Sequence, residues 1–146
     1  MKESELDFEV LREPWNKYSL KDGAYIKSRF ILLKIKKREP TQEGEKLQYG
    51  FEGQNITVVY NVPEHLKGPP STISYSPQEL SQSKKEDVAY DTISEEWNEY
   101  ILEDGTTIRI KDTVVAISRT DKVDKNGDPI YMVEHSQILG VKPRRK

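Results

Sequence analysis

At 146 residues the chain makes one domain or two very small ones, and separate halves of about 60 residues would each be marginal alone. With 34% hydrophobic and 33% charged residues, little apolar material is left for a large exposed site, and a net charge of −2 argues against a generally basic nucleic-acid binder. The absence of cysteine excludes a disulfide framework and a thiolate metal site.

Apolar runs such as Phe30-Ile31-Leu32-Leu33 stay far short of a membrane span, and Met1-Lys2-Glu3-Ser4-Glu5 leads into no apolar signal region. The expectation is a cytoplasmic protein with no membrane partner. The first predicted strand covers residues 5–11, where Leu6, Phe8 and Val10 alternate with acidic residues and share one face. A second strand runs Asn16–Leu20, with Tyr18 and Leu20 on one face. The dipeptide Asp22-Gly23 then predicts a tight hairpin, with glycine supplying the positive φ of a type I′ turn. A long strand follows from Tyr25 to about Lys37. Both of its faces are apolar in the middle, which predicts a central or covered position. A polar loop, Arg38 to Gly44, leads to a last strand, Leu47–Tyr60.

The whole pattern then recurs at an offset of 82 residues. Residues 13–26 and 95–108 share Glu13/Glu95, Trp15/Trp97, Asn16/Asn98, Tyr18/Tyr100, Leu20/Leu102, Asp22/Asp104, Gly23/Gly105 and Ile26/Ile108. Tyr49/Tyr131, Glu52/Glu134, Ile56/Ile138 and Val59/Val141 extend the match. Residues 2–62 therefore form a first β repeat and 84–144 a second, with a linker at 63–83. Within the linker, Ser76-Pro77-Gln78-Glu79 predicts a short helix over about 77–84, with Ser76 as N-cap and Glu79 completing a capping box. The expected fold is all-β: two similar four-stranded antiparallel units related by a pseudo-two-fold axis, forming a sandwich or a barrel. The expected oligomeric state is a pseudo-dimeric monomer.

The run Trp97-Asn98-Glu99-Tyr100 with Leu102, Asp104 and Gly105, then Asn126-Gly127-Asp128-Pro129-Ile130-Tyr131, resembles short uncharacterised archaeal and bacterial β proteins. Those carry one W-x-x-Y-x-L-x-D-G unit and a later G-x-P-x-Y. The likeness covers residues 95–141 well and 13–60 in part, since the first copy lacks the Asn-Gly-Asp-Pro loop. It implies a domain unit, and brings no activity, cofactor or catalytic residue with it.

Candidate sites divide between structural and functional readings. Trp15/Trp97, Tyr18/Tyr100 and Leu20/Leu102 read first as core, and second as an aromatic platform. Asn16/Asn98 reads as a bond to backbone at a bend, and Glu13/Glu95 as a turn cap or a partner of retained cations. Asp22/Asp104 is accounted for by turn chemistry. Asp121, Asp124, Asn126 and Asp128 look like a calcium loop but fail its register: with Gly127 sixth, Lys122 and Val133 occupy positions that need acids. His65 and His135 lie at non-equivalent places without ligand partners, so no metal or cofactor is expected. No nucleophile motif or phosphate-binding glycine loop appears, so no catalytic residue is assigned and an enzyme is not expected. The basic positions retained in both copies are Lys27/Arg109, Arg29/Lys111 and Lys37/Arg119. Lys34, Lys36, Arg38 and the tail Arg144-Arg145-Lys146 reinforce them. They either keep strand ends soluble or form a stripe for phosphates. The expected function is a non-catalytic binding or scaffold module with a protein partner. The alternative is a nucleic-acid-binding protein that uses the six retained cations.

Overall fold

The structure is a computed structural model and describes residues 2–143; the basic tail positions Arg144, Arg145 and Lys146 lie outside the described residues. The strands are β1 (Lys2–Leu6), β2 (Phe8–Arg12), β3 (Asn16–Leu20), β4 (Tyr25–Glu39), β5 (Gln48–Tyr60), β6 (Lys84–Asp87), β7 (Tyr90–Ser94), β8 (Trp97–Leu102), β9 (Thr107–Val123) and β10 (Pro129–Lys142). A helix α1 (Pro77–Gln82) carries the expected capping box, with the Glu79 N–H donating to Ser76 Oγ and the Ser76 N–H donating to Glu79 Oε1. Among the described residues no helix is long and apolar enough to cross a membrane.

The mainly-β expectation holds, with two antiparallel sheets of five strands each. In the first sheet β4 is central. It pairs with β5 on one edge, and on the other with β3 along its first half and β1 along its second. The second sheet repeats this around β9, with β10 on one edge and β8 and β6 on the other.

Three expectations need correction. The single strand over 5–11 is two strands that part company at Asp7. β1 stays with β4, while β2 crosses to pair with β8 of the second sheet. In the second half β7 crosses likewise to β3. Each sheet therefore has five strands instead of four, one of them supplied by the other half of the chain. The Asp7 carbonyl accepts from the Glu103 N–H at this crossover, and the Ala89 carbonyl accepts from Lys21 at its counterpart. The sheets also do not close into a barrel: among the described residues β5 pairs only with β4 and β10 only with β9, leaving both long strands as outer edges.

The second correction concerns β4 and β9. Ile26, Ser28, Phe30 and Leu32 face inward, and a bulge then shifts the parity so that Ile35 is the next inward residue. Val115 of β9 is the matching extra residue. Leu33 and Val115 are each 54% exposed. The apolar run on both faces is thus one inward row that changes parity at a bulge. Third, the Asp-Gly hairpins are not type I′. Only Gly23 and Gly105 have positive φ, at 98° and 88°. Leu20 accepts from Gly23 and donates to Ala24, which is a type I turn closed by a glycine bulge.

Two apolar clusters fill the space between the sheets, and both draw on both halves. Tyr18, Leu20 and Ile26 pack with Val88, Val114, Ile117 and Tyr131. Phe30, Leu32 and Ile35 pack with Tyr100, Leu102, Ile108 and Ile110. Leu6 and Phe8 both lean on the second cluster although they lie in different sheets. Neither half can bury its inward row alone. Fragments 1–62 and 84–146 made separately should not fold as monomers, and mixing them should restore a 1:1 complex with cooperative unfolding. Light scattering that shows a folded monomer of either fragment contradicts this interlocked core.

Candidate binding surface

The repeated motif supplies polar contacts that tie one half to the other. Asn16 Nδ2 donates to the Asp112 carbonyl at 3.1 Å, and Asn98 Nδ2 donates to the Phe30 carbonyl at 2.8 Å. The Tyr18 hydroxyl donates to Glu95 at 2.9 Å, and the Tyr100 hydroxyl to Glu13 at 2.7 Å. Burial first, and the carboxylate acceptor second, push both phenols above the ordinary tyrosine range, so each stays protonated and donates. Glu13 also accepts from the Leu32 N–H beside the bulge, and Glu95 accepts from the Thr113 hydroxyl.

Asp22 does more than make its turn. Oδ1 accepts from the Ala24 N–H, while Oδ2 accepts from Arg119 at 3.0 Å and from the Tyr131 hydroxyl at 2.6 Å. Asp104 likewise accepts from Thr106 and from Lys37, the latter at 3.1 Å. Lys37 and Arg119 fall after the bulge, so the parity change turns them inward to these partners, with side chains 20% and 13% exposed. Burial works to raise the Asp104 carboxyl, but the Thr106 bonds and the Lys37 ammonium outweigh it and hold the group below its ordinary value. The bond to Asp104 raises Lys37 in turn.

The remaining retained cations sit on the outer faces of the two sheets. Lys27 lies over the Trp15 ring at 4.8 Å, and Arg109 over Trp97 at 4.6 Å. Arg29 approaches Glu13 at 3.6 Å, and Lys111 lies 6.0 Å from the Trp97 ring. Since the sheets share their inner faces, the six residues divide among two opposite outer faces and two inward ion pairs, and do not converge. The run Lys34, Lys36, Arg38 meets Glu5, Glu3 and Glu52 across the neighbouring strands. Of the motif aromatics, the tyrosines are core and the tryptophans only half-buried.

Two features of single copies had no separate place in the sequence reading. The first is inside. Asp112, 2% exposed, places Oδ2 at 2.8 Å from His135 Nδ1 and accepts from Gln137 Nε2 at 2.6 Å. The equivalent positions in the first half are Phe30, Gly53 and Asn55, and a Cβ on Gly53 would meet the Phe30 ring at 2.1 Å. An aromatic ring over a glycine in one sheet is thus exchanged for a carboxylate–imidazole pair in the other. Among the described residues no hydroxyl bonds to His135, so this pair lacks a nucleophile to activate. No group of three His, Asp or Glu side chains is placed to hold a metal ion among the described residues.

The second feature is outside, on the first sheet. Lys17 stands directly opposite Lys27 in the β3–β4 register, and neither has an acidic partner among the described residues. Like charges facing each other across strands destabilise a sheet. The equivalent pair in the second sheet is Glu99 opposite Arg109, an ion pair at 3.6 Å. Beside the lysines, Tyr25 pairs with Tyr60 across β4–β5, their rings stacked with centroids 5.5 Å apart. Thr107 and Lys142 stand at those two places in the second sheet. The expected type I′ turn would have set Tyr18 opposite Lys27, and only the extra residue of the bulged turn brings Lys17 there, so the Lys–Lys pair was not legible from the Asp-Gly dipeptide.

Concave surface elsewhere is shallow. A groove of about 380 Å³ beside Asp7, Phe8 and Glu103 is acidic. One of about 290 Å³ under the linker includes Lys67, Lys85, Arg119 and Lys122, but Glu64, Asp22 and Asp121 already pair with three of these four cations. No protein-family model, curated protein or solved structure matches the chain.

Two outcomes follow for stability. Asp112→Phe and His135→Gly should each destabilise the protein, while the double variant recreates the Phe30/Gly53 arrangement. Urea unfolding should give a favourable coupling of about 1–3 kcal/mol; strict additivity would contradict the exchange of one packing solution for another. Lys37→Met should cost about 1 kcal/mol at neutral pH. A depressed carboxyl stabilises above its unfolded pKa and loses that contribution as pH falls through the folded one. A raised lysine stabilises below its unfolded pKa and loses it as pH rises through the folded one. The gap between Lys37→Met and the parent should therefore narrow at both ends of a pH–stability profile.

Proposed function

We propose that the protein is a non-catalytic binding module, a cytoplasmic monomer in which two interlocked β units form a rigid support for one working face, the outer face of the first sheet. The supporting observation is the Lys17–Lys27 pair, in which neither ammonium meets a carboxylate among the described residues and Lys27 has only the Trp15 ring. The fold has an ion-paired solution at the same place in its second sheet and does not use it here. A stability cost kept at one position while its duplicate avoids it is what a site for an anionic partner requires. The retained carboxylates, tyrosines and inward cations are occupied in joining the halves, and the Asp112–His135 pair has no nucleophile, so neither supports catalysis. On the same reading, the single-unit proteins this chain resembles would pair as dimers by the strand exchange seen between its halves.

Lys17→Glu installs the residue of the second sheet. It should raise Tm by about 2 °C at low salt, with the gain shrinking as salt screens the charges. Polyglutamate or heparin should raise the Tm of the parent protein and leave that of Lys17→Glu almost unmoved. A lowered Tm for Lys17→Glu, or equal polyanion shifts for both proteins, would sink the reading.

A further inference from the structure

We infer that the outer face of the first sheet binds single-stranded nucleic acid, which rests on the binding-module reading and names its partner. Along β4 the outward residues Tyr25, Lys27 and Arg29 follow one another at every second position. Their cross-strand neighbours complete three rows: Ser19, Tyr25 and Tyr60; then Lys17, Lys27 and Val58; then Arg29 and Ile56. Trp15, just ahead of β3, holds the Lys27 ammonium over its ring and closes the face beside the lysine row. A pair of rings therefore lies at one end, with cations between it and an indole. Successive rows are about 6.8 Å apart, close to the spacing of phosphates along an extended strand. Four strands, β5, β4, β3 and β7, make the face about 15 Å across, room for a short run of unpaired nucleotides.

Charge selects an anion and the rings select among anions. Among the described residues no carboxylate answers Lys17 or Lys27. The Glu13 carboxylate near Arg29 is 6% exposed and already accepts from Tyr100 and Leu32. Asp91, at the edge on β7, is paired with Lys21 at 2.6 Å. An acidic peptide would satisfy the lysines but would leave the Tyr25–Tyr60 pair and the flanking Ile56 and Val58 without a flat partner. Unpaired bases stack on such rings, whereas a duplex hides its base faces and offers only phosphates. Cations interleaved with aromatic side chains on an open sheet match a strand whose phosphates and bases alternate. The second sheet, descended from the same unit, lacks the combination: Glu99 neutralises Arg109, and Thr107 and Lys142 replace the two tyrosines.

Fluorescence anisotropy with labelled 20-mers of oligo-dT and oligo-rU tests this, with a 20-base-pair duplex and labelled polyglutamate as comparison probes. The parent protein should bind the single strands at least tenfold more tightly than the duplex. Three phosphate contacts should give a slope of log affinity against log salt of about −2. The variant Lys17→Glu/Tyr25→Thr/Tyr60→Lys carries the second sheet's residues, each tolerated there by the same backbone, and should lose tenfold or more. The reverse set Glu99→Lys/Thr107→Tyr/Lys142→Tyr should create a second binding face. Single-strand binding that is equal in the parent and the triple variant overturns both the inference and the reading beneath it. Binding of polyglutamate without oligonucleotides, or of duplex as tightly as single strand, overturns the inference alone and leaves an anion-binding module standing.

Discussion

The structure depends on the reciprocal exchange of β2 and β7 and on the buried hydrogen bonds that hold it. Each half gives one strand to the sheet built around the other half's long strand. The inward row of each sheet is then covered only when both halves are present. An apolar interface alone would tolerate a slip between sheets, because hydrophobic contact has no direction. The bonds from Asn16 and Asn98 to backbone carbonyls, and from Tyr18 and Tyr100 to Glu95 and Glu13, do not tolerate one. A displaced register would leave a largely buried carboxylate or a buried amide unpaired, at about 1–3 kcal/mol each. The motif is thus the device by which two copies of one unit recognise each other within a single chain.

Near-symmetry also shows what the interlock leaves free to vary. Glu96 donates its N–H to Asn16 Oδ1, whereas its counterpart Pro14 has no N–H to give; the second asparagine instead donates its other amide hydrogen to the Tyr100 hydroxyl. Inside, Phe30 over Gly53 fills the space that Asp112 and His135 occupy in the other sheet. These are two solutions to one packing problem. The polar one satisfies its carboxyl oxygens through His135 and Gln137, as burial of a polar group requires.

Much of this was legible in the sequence. Strand positions, the offset of 82, the hairpins and the capped helix at Ser76–Glu79 follow from local chemistry: alternation, Asp-Gly dipeptides, and a proline behind a serine. What escaped is non-local. Nothing within residues 5–11 says that the chain leaves one sheet for another at Asp7, because Leu6 and Phe8 reach the same cluster from either side. The bulges at Leu33 and Val115 disguised one inward row as two apolar faces, and so placed Lys37 and Arg119 on the same side as Lys27 and Arg109. With that parity change unseen, six cations looked like a stripe. Asp112 carries a local signal of its own: it stands alone among Ile108, Ile110 and Val114 on the inward parity of β9, where an acid demands partners.

Retention in both copies is a different signal in an interlocked duplication than in a string of independent repeats. Where each half grips the other, any residue of the grip is needed twice, once per half, and the two-fold relation keeps both. Asp22 with Arg119 and Asp104 with Lys37 are the plainest case: four charges kept because each hairpin holds the end of the opposite long strand. A site that serves one ligand needs to exist once. Duplication supplies a spare copy that can drift back toward stability, so the functional copy is marked by the residues in which it differs, and by the cost it continues to carry. On the proposed reading, Lys17 against Glu99, with Tyr25 and Tyr60 against Thr107 and Lys142, would be that copy, while Lys37 and Arg119 pair across the halves with Asp104 and Asp22.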